Sequence, residues 1–150
     1  MLVLACGLPL GAAAAAAGVL DDAPGTGSDN GRFLPVGEAF KVRWTWSDAG
    51  FASGEFVIAP GYYLYRDRIH AQLKGPSGAQ LAALELPAGE VKNDPYAGRQ
   101  VVYHHSFMAK LPIALPAGLI GPVDLEVVWQ GCAEAGLCYP PVRRTFNLRS

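Results

Sequence analysis

Cys132 and Cys138 are the residues of this chain with the most chemistry in reach, set in the run Gln130-Gly131-Cys132-Ala133-Glu134-Ala135-Gly136-Leu137-Cys138-Tyr139-Pro140-Pro141. A thiol pair can serve as a static staple, or it can cycle between dithiol and disulfide and so pass electrons to a partner. In an oxidising compartment, two cysteines with five residues between them are expected to pair. A staple closing so small a loop would stabilise the fold by about 2–3 kcal/mol on the chain-entropy model. Spacing alone favours that structural reading, because C-x5-C is not a general redox signature in the way that C-x-x-C is. Cycling makes further demands: a loop open to attack, and a domain that stays folded when the bond breaks. Gly131 and Gly136 would lend the loop mobility, and Pro140-Pro141 would stiffen its exit.

The rest of the chain offers little rival chemistry. No segment matches a Walker loop, a dinucleotide glycine fingerprint or a zinc-protease helix. His104 and His105 are adjacent, so on a strand they point to opposite faces, and His70 stands alone. A copper-type site from Cys, His and Met108 has no recognisable ligand spacing. No Ser-His-Asp arrangement is legible, and Asp94, Glu126 and Glu134 read as isolated acids. No cofactor is implied. The formal charge of −1 argues against a nucleic-acid partner, which would call for a basic excess.

The elements that must position the cysteines follow from composition and period. At 150 residues the chain fits one domain with a leader to spare. With 18 glycines and 12 prolines, the composition favours short strands and many turns over long helices. Residues 1–20 are almost wholly apolar and end in small residues, as in a signal peptide-like leader that would carry Cys6 away on cleavage. A transmembrane anchor or a lipoprotein site at Cys6 are the alternatives. Residues 21–32 read as a flexible linker, which leaves 33–150 as the folded domain. Phe40, Val42, Trp44 and Trp46 alternate with Lys41, Arg43 and Thr45, the period of a half-buried strand. Further strands are expected at 54–58, 62–73, 81–86, 101–103, 107–113, 123–129 and 142–148, with no convincing helical stripe. The pattern predicts an all-β, immunoglobulin-like β-sandwich. The last two strands flank the cysteine loop as a hairpin, which brings Cys132 and Cys138 close in space. In Tyr62-Tyr63-Leu64-Tyr65, alternation sends Tyr62 and Leu64 to one face and Tyr63 and Tyr65 to the other, where they could wall a small site.

Four segments in order carry a family resemblance: Phe33-Leu34-Pro35-Val36 with Glu38-Ala39-Phe40, Gly61-Tyr62-Tyr63-Leu64-Tyr65-Arg66, Asp94-Pro95-Tyr96-Ala97-Gly98, and the cysteine run from Gln130 to Pro141. On these the chain resembles the N-terminal periplasmic domain of the DsbD family of thiol:disulfide interchange proteins. The resemblance implies an immunoglobulin-like sandwich with a redox-active cysteine pair. It implies a membrane-embedded redox domain as electron donor, fed in turn by cytoplasmic thioredoxin. Periplasmic thioredoxin-like proteins would be the acceptors, serving disulfide isomerisation and cytochrome c maturation. It further implies a periplasmic location reached through an N-terminal signal. The domain would be tethered to the inner membrane where it is part of a longer protein, and otherwise would work with a separate membrane partner. A monomer is the natural state for a module that must dock with several partners.

Residue by residue, the resemblance assigns the catalytic pair to Cys132 and Cys138, with Cys138 as the attacking thiol. It places a cap loop at Asp94, Pro95, Tyr96 and Gly98, with Tyr96 in the position of an aromatic that shields the sulfurs. The family commonly has an acidic residue and then Phe where this chain has Pro95 and Tyr96. Tyr63 and Tyr65 match an aromatic wall beside the pair, and Asp94 matches a nearby acid. Asp94 or Glu134, if close to a thiol, would raise its pKa. The competing reading is a non-catalytic binding sandwich with a structural disulfide.

Overall fold

Alternation in Phe40–Ser47 (β1) buries Phe40, Val42 and Trp44 and leaves Lys41, Arg43 and Thr45 exposed. β1 pairs antiparallel with Phe51–Ile58 (β2) across the turn at Asp48-Ala49-Gly50, where Gly50 takes a positive φ of 81°. Trp44 lies opposite Gly54 in this register, and a Cβ at position 54 would sit 2.5 Å from the indole ring. The glycine is therefore what lets that ring lie flat across its neighbour strand. A computed structural model of the chain describes residues 32–119 and 121–149. The expected leader at 1–20 and all but the last residue of the expected linker at 21–32 lie outside them.

The remaining strands are Tyr62–Tyr65 (β3), His70–Gly75 (β4), Gln80–Leu81 (β5), Glu90–Asp94 (β6), Gly98–Tyr103 (β7), Phe107–Ala114 (β8), Val123–Trp129 (β9), Gly131–Ala133 (β10), Leu137–Cys138 (β11) and Val142–Arg149 (β12). They form three sheets, ordered β1-β2-β8-β5, β11-β10-β3-β7-β6 and β12-β9-β4. Every strand pair is antiparallel. The inward faces share one core, in which Phe56, Leu64, Leu111, Leu125 and Val127 are fully buried. Aromatic rings fill its middle: Phe56 stacks on Phe107 at 4.8 Å and meets the rings of Trp44 and Trp129 edge-on.

Three local departures from the strand pattern matter. The run expected as one strand over 62–73 is broken by a 3-10 turn at Arg66–Arg68, so β3 and β4 join different sheets. The expected strand at 81–86 shrinks to β5 and one isolated bridge between Glu85 and Lys110. A single helical turn, Val36–Ala39 (α1), leads the chain into β1.

Candidate redox site

β3 is the pivot of the site. It has neighbours on both flanks, β10 and β7, and all four of its side chains are buried. Alternation sends Tyr62 and Leu64 into the main core and sends Tyr63 and Tyr65 to the opposite face. There they form a second, separate cluster with Val102, Cys132, Cys138 and Ala97. Gly131 lies opposite Leu64 in the β3–β10 register, and a Cβ at 131 would run into the Tyr63 carbonyl, the Phe40 ring and the Leu64 side chain. Glycine at this position lets β10 lie tight against β3, which fixes where Cys132 begins.

The loop between β9 and β12 folds back on itself. β9 and β12 pair from Trp129↔Val142 onward, and within the connection β10 and β11 make a smaller hairpin of their own. Cys132 and Cys138 are directly opposite in it, with Cα atoms 4.0 Å apart and a disulfide between them. Tyr63 is the register partner of Cys132 on the other side. Cys132 is fully buried, whereas Cys138 is partly exposed.

Asp94, the last residue of β6, organises the face above the sulfurs. It is 4% exposed, and it accepts hydrogen bonds from both tyrosine hydroxyls: from Tyr63, and from Tyr65 at 2.8 Å. Its other oxygen accepts the amides of Tyr96 at 2.8 Å and Ala97 at 2.9 Å. Burial opposes its ionisation, but these donors together outweigh burial and hold the carboxyl down to about 2. The reciprocal effect falls on the tyrosines. Burial first, then the charge and hydrogen bond of Asp94, pushes Tyr63 and Tyr65 above the usual phenol range, so both stay protonated donors. The Tyr65 oxygen also lies 3.2 Å from the Cys132 sulfur and 4.0 Å from that of Cys138.

The segment Asp94-Pro95-Tyr96-Ala97-Gly98 is a tight turn between β6 and β7, closed by Gly98 at φ 74°. Asp94 fastens this turn from inside through the two amides. Ala97 is the turn residue packed into the cysteine cluster. Pro95 is exposed; Tyr96 is 67% exposed and reaches across to the cysteine hairpin, where its hydroxyl donates to the Gly136 carbonyl at 3.1 Å. Glu134, in the turn between the cysteines, is bound by Lys92 Nζ at 2.7 Å and His104 Nε2 at 2.8 Å. Lys92 above all, helped by His104 and opposed by burial, holds the Glu134 carboxyl below its ordinary range.

Tyr63, Tyr65, Asp94, Tyr96 and Glu134 therefore meet around the cysteine hairpin on one face of the five-stranded sheet, and Pro95 and Gly98 lie in the turn between β6 and β7. Several others were not legible beforehand. Lys92 places its ammonium 4.7 Å from the Tyr63 ring centre, and Arg68 sits 4.5 Å over Tyr65 while donating to the Gln130 side chain. Gln130 in turn donates to the Tyr139 carbonyl at 2.9 Å. The one available signal was the alternation Glu90-Lys92-Asp94, which reads as a solvated strand face. Glu126, expected as an isolated acid, is buried on β9, in a different sheet, and held by Gln72, Lys74 and Arg143.

A disulfide in its own small hairpin, covered by a turn and backed by a tyrosine–carboxylate network, defines a β-sandwich domain with a candidate redox end. A family model described as "Thiol:disulfide interchange protein DsbD, N-terminal" matches residues 30–150, and the chain belongs to that family. It is 41% identical over 152 residues to the thiol:disulfide interchange protein DsbD 1 of Pseudomonas aeruginosa, covering 99% of this chain and 24% of that protein. It is 38% identical over 120 residues to a DsbD of Neisseria meningitidis, covering 80% of this chain and 19% of the relative. The chain thus spans a minor part of the relatives it matches. The crystal structure of the reduced DsbD N-terminal domain from Neisseria meningitidis superposes with a TM-score of 0.69 at 35% identity, over 78% of this chain and 90% of that one. A second, from a complex of the DsbD and PilB N-terminal domains of the same species, gives 0.65 at 37% identity, over 77% and 87% of the two chains. The immunoglobulin-like sandwich expected from the strand pattern is the fold observed.

Proposed function

We propose that this domain is a thiol–disulfide exchange module. It would take reducing equivalents from a membrane-embedded redox domain and pass them to periplasmic thioredoxin-like proteins, for disulfide isomerisation and cytochrome c maturation. The observation that carries the reading is the isolation of the disulfide from the core. Cys132–Cys138 bridges two strands of three and two residues, and its sulfurs pack in a cluster separate from the main core. Opening the bond removes nothing that joins the sheets, which is what a cycling pair requires and what a staple has no need of. The solved DsbD N-terminal domain in complex with a PilB N-terminal domain supports docking of a protein partner to a domain of this kind.

The chemistry runs without a bound cofactor. In the reduced domain the more exposed Cys138, as thiolate, attacks a sulfur of the partner's disulfide. That S–S bond breaks, a mixed disulfide forms through Cys138, and one partner thiolate leaves. Cys132 then gives up its proton and attacks the Cys138 sulfur. The Cys132–Cys138 bond re-forms and the second partner thiolate is released, so two electrons and two protons have passed to the partner. Tyr65 and Asp94 set the order of events. The Tyr65 hydroxyl gives its one proton to Asp94, so its lone pairs face the Cys132 sulfur and accept the Cys132 S–H in the reduced state. That interaction favours the protonated thiol at Cys132 and leaves Cys138 as the first nucleophile.

The direct test mixes the reduced chain with one equivalent of an oxidised periplasmic thioredoxin-like domain and reads both proteins' thiols by alkylation and mass. Reciprocal transfer, thiols lost here and gained there, is expected. No transfer, with the domain folded throughout, would leave a structural disulfide on a binding sandwich.

A further inference from the structure

The cysteine hairpin is held by very little backbone. β11 has two residues and shares two register pairs with β10. When the sulfur–sulfur bond opens, non-covalent ties must keep the two thiols adjacent. Glu134, in the turn between the cysteines, supplies three. Its amide donates to the Gly61 carbonyl at 2.8 Å, and its carboxylate takes Lys92 on one oxygen at 2.7 Å and His104 on the other at 2.8 Å. Lys92 lies on β6 and His104 directly follows β7, so both reach the hairpin from the far side of β3. His104 is itself held by Glu90 at 2.9 Å through its other ring nitrogen. The group closes around Tyr63, whose ring lies 5.7 Å from that of His104 and 4.7 Å from the Lys92 ammonium.

We propose that Glu134, gripped by Lys92 and His104, is a positioning residue of the exchange reaction, keeping the reduced cysteine hairpin closed so that its two thiols stay paired between cycles. The proposal rests on the relay reading above. Its physical basis is a difference between redox states. In the oxidised domain the disulfide already holds the hairpin, so losing the clamp frees little. In the reduced domain the same loss lets the hairpin fray, which lowers the effective concentration of one thiol at the other. Ring closure to the disulfide then becomes less favourable, and the dithiol becomes a weaker reductant.

The experiment equilibrates the full chain with glutathione. Two glutathione thiols become one glutathione disulfide while the Cys132–Cys138 bond opens to two thiols. Wild type, Glu134→Ala, Lys92→Ala and Glu134→Gln are compared by alkylation and mass, and each is also unfolded by denaturant in both redox states. Glu134→Ala and Lys92→Ala are each expected to lower the equilibrium constant for disulfide formation about three- to fivefold, the scale of a partly exposed ion pair. That corresponds to a potential raised by about 15–20 mV. Because the reduced hairpin can relax by fraying and the oxidised one cannot, the oxidised form should lose more stability than the reduced form, by that same factor, and Glu134→Gln, which keeps an acceptor oxygen, should fall between. An unchanged constant with equal losses in both states would overturn the clamp and leave the relay intact. A wild-type domain that unfolds on reduction would overturn both.

Discussion

The hydroxyl of Tyr65 stands between a carboxylate and a sulfur, 2.8 Å from Asp94 and 3.2 Å from Cys132. Because its proton goes to Asp94, removing the hydroxyl takes one of four donors from a buried carboxylate. Tyr65→Phe is expected to destabilise the oxidised domain by about 1–2 kcal/mol, read by urea denaturation. A loss near zero would mean that the contact between Tyr65 and Asp94 contributes no net stability.

Asp94 makes the domain acid-sensitive in a defined window. Its carboxyl is held at about 2 in the folded domain against an ordinary 3.8, so its contribution of about 2 kcal/mol is fully present above pH 4. That contribution is lost as pH falls from about 4 through 2, and folded and unfolded states become equally protonated at this site only below that. Stability measured from pH 5 to 2 should therefore decline, and Asp94→Asn should flatten the decline while lowering stability at pH 7. An Asp94→Asn variant as acid-sensitive as wild type would move the effect to other carboxylates.

Tyr96 ties the β6–β7 turn to the cysteine hairpin through the Gly136 carbonyl. Tyr96→Phe removes that bond alone, whereas Tyr96→Ala removes the ring as well. Alkylation of the reduced protein by iodoacetamide should quicken modestly in the first variant and several-fold in the second. Equal rates in all three proteins would show that the turn is held by Asp94 and Ala97 without help from Tyr96.

The unequal exposure of the two sulfurs predicts which one meets a partner. Cys132→Ala leaves the partly exposed Cys138, which should form a stable mixed disulfide with an oxidised thioredoxin-like domain. Cys138→Ala leaves Cys132 fully buried and should trap little. Trapping by Cys138→Ala alone would reverse the assignment.

Much of this site could be read from the chain because its signals are local. Period two in Tyr62-Tyr63-Leu64-Tyr65 was enough to divide core from site. The mobility expected from Gly131 and Gly136 is not what Gly131 supplies: it is buried in β10, where only a glycine fits against β3. The rest depends on tertiary contacts. β10 and β11, with three and two residues, are too short to show a period, so the loop from Gln130 to Pro141 read as one connection and not as a hairpin within it. β6 was missed because Glu90-Val91-Lys92-Asn93-Asp94 is composed largely of poor strand formers. Its alternate charged residues face the tyrosines and the hairpin, a destination that only the β3–β7–β6 order reveals. The break at Arg66–Arg68 carries neither glycine nor proline, and so gave no turn signal.

Cycling requires that the fold around Cys132–Cys138 not depend on the bond. It is tested most directly by poising the full chain in glutathione buffers while reading thiols by alkylation and fold by near-UV circular dichroism. Reversible reduction is expected at a potential within reach of periplasmic thioredoxin-like proteins, with the aromatic signal of the core unchanged. A bond resisting reduction below about −300 mV, or a core signal lost together with the disulfide, would contradict it and make the pair a structural staple.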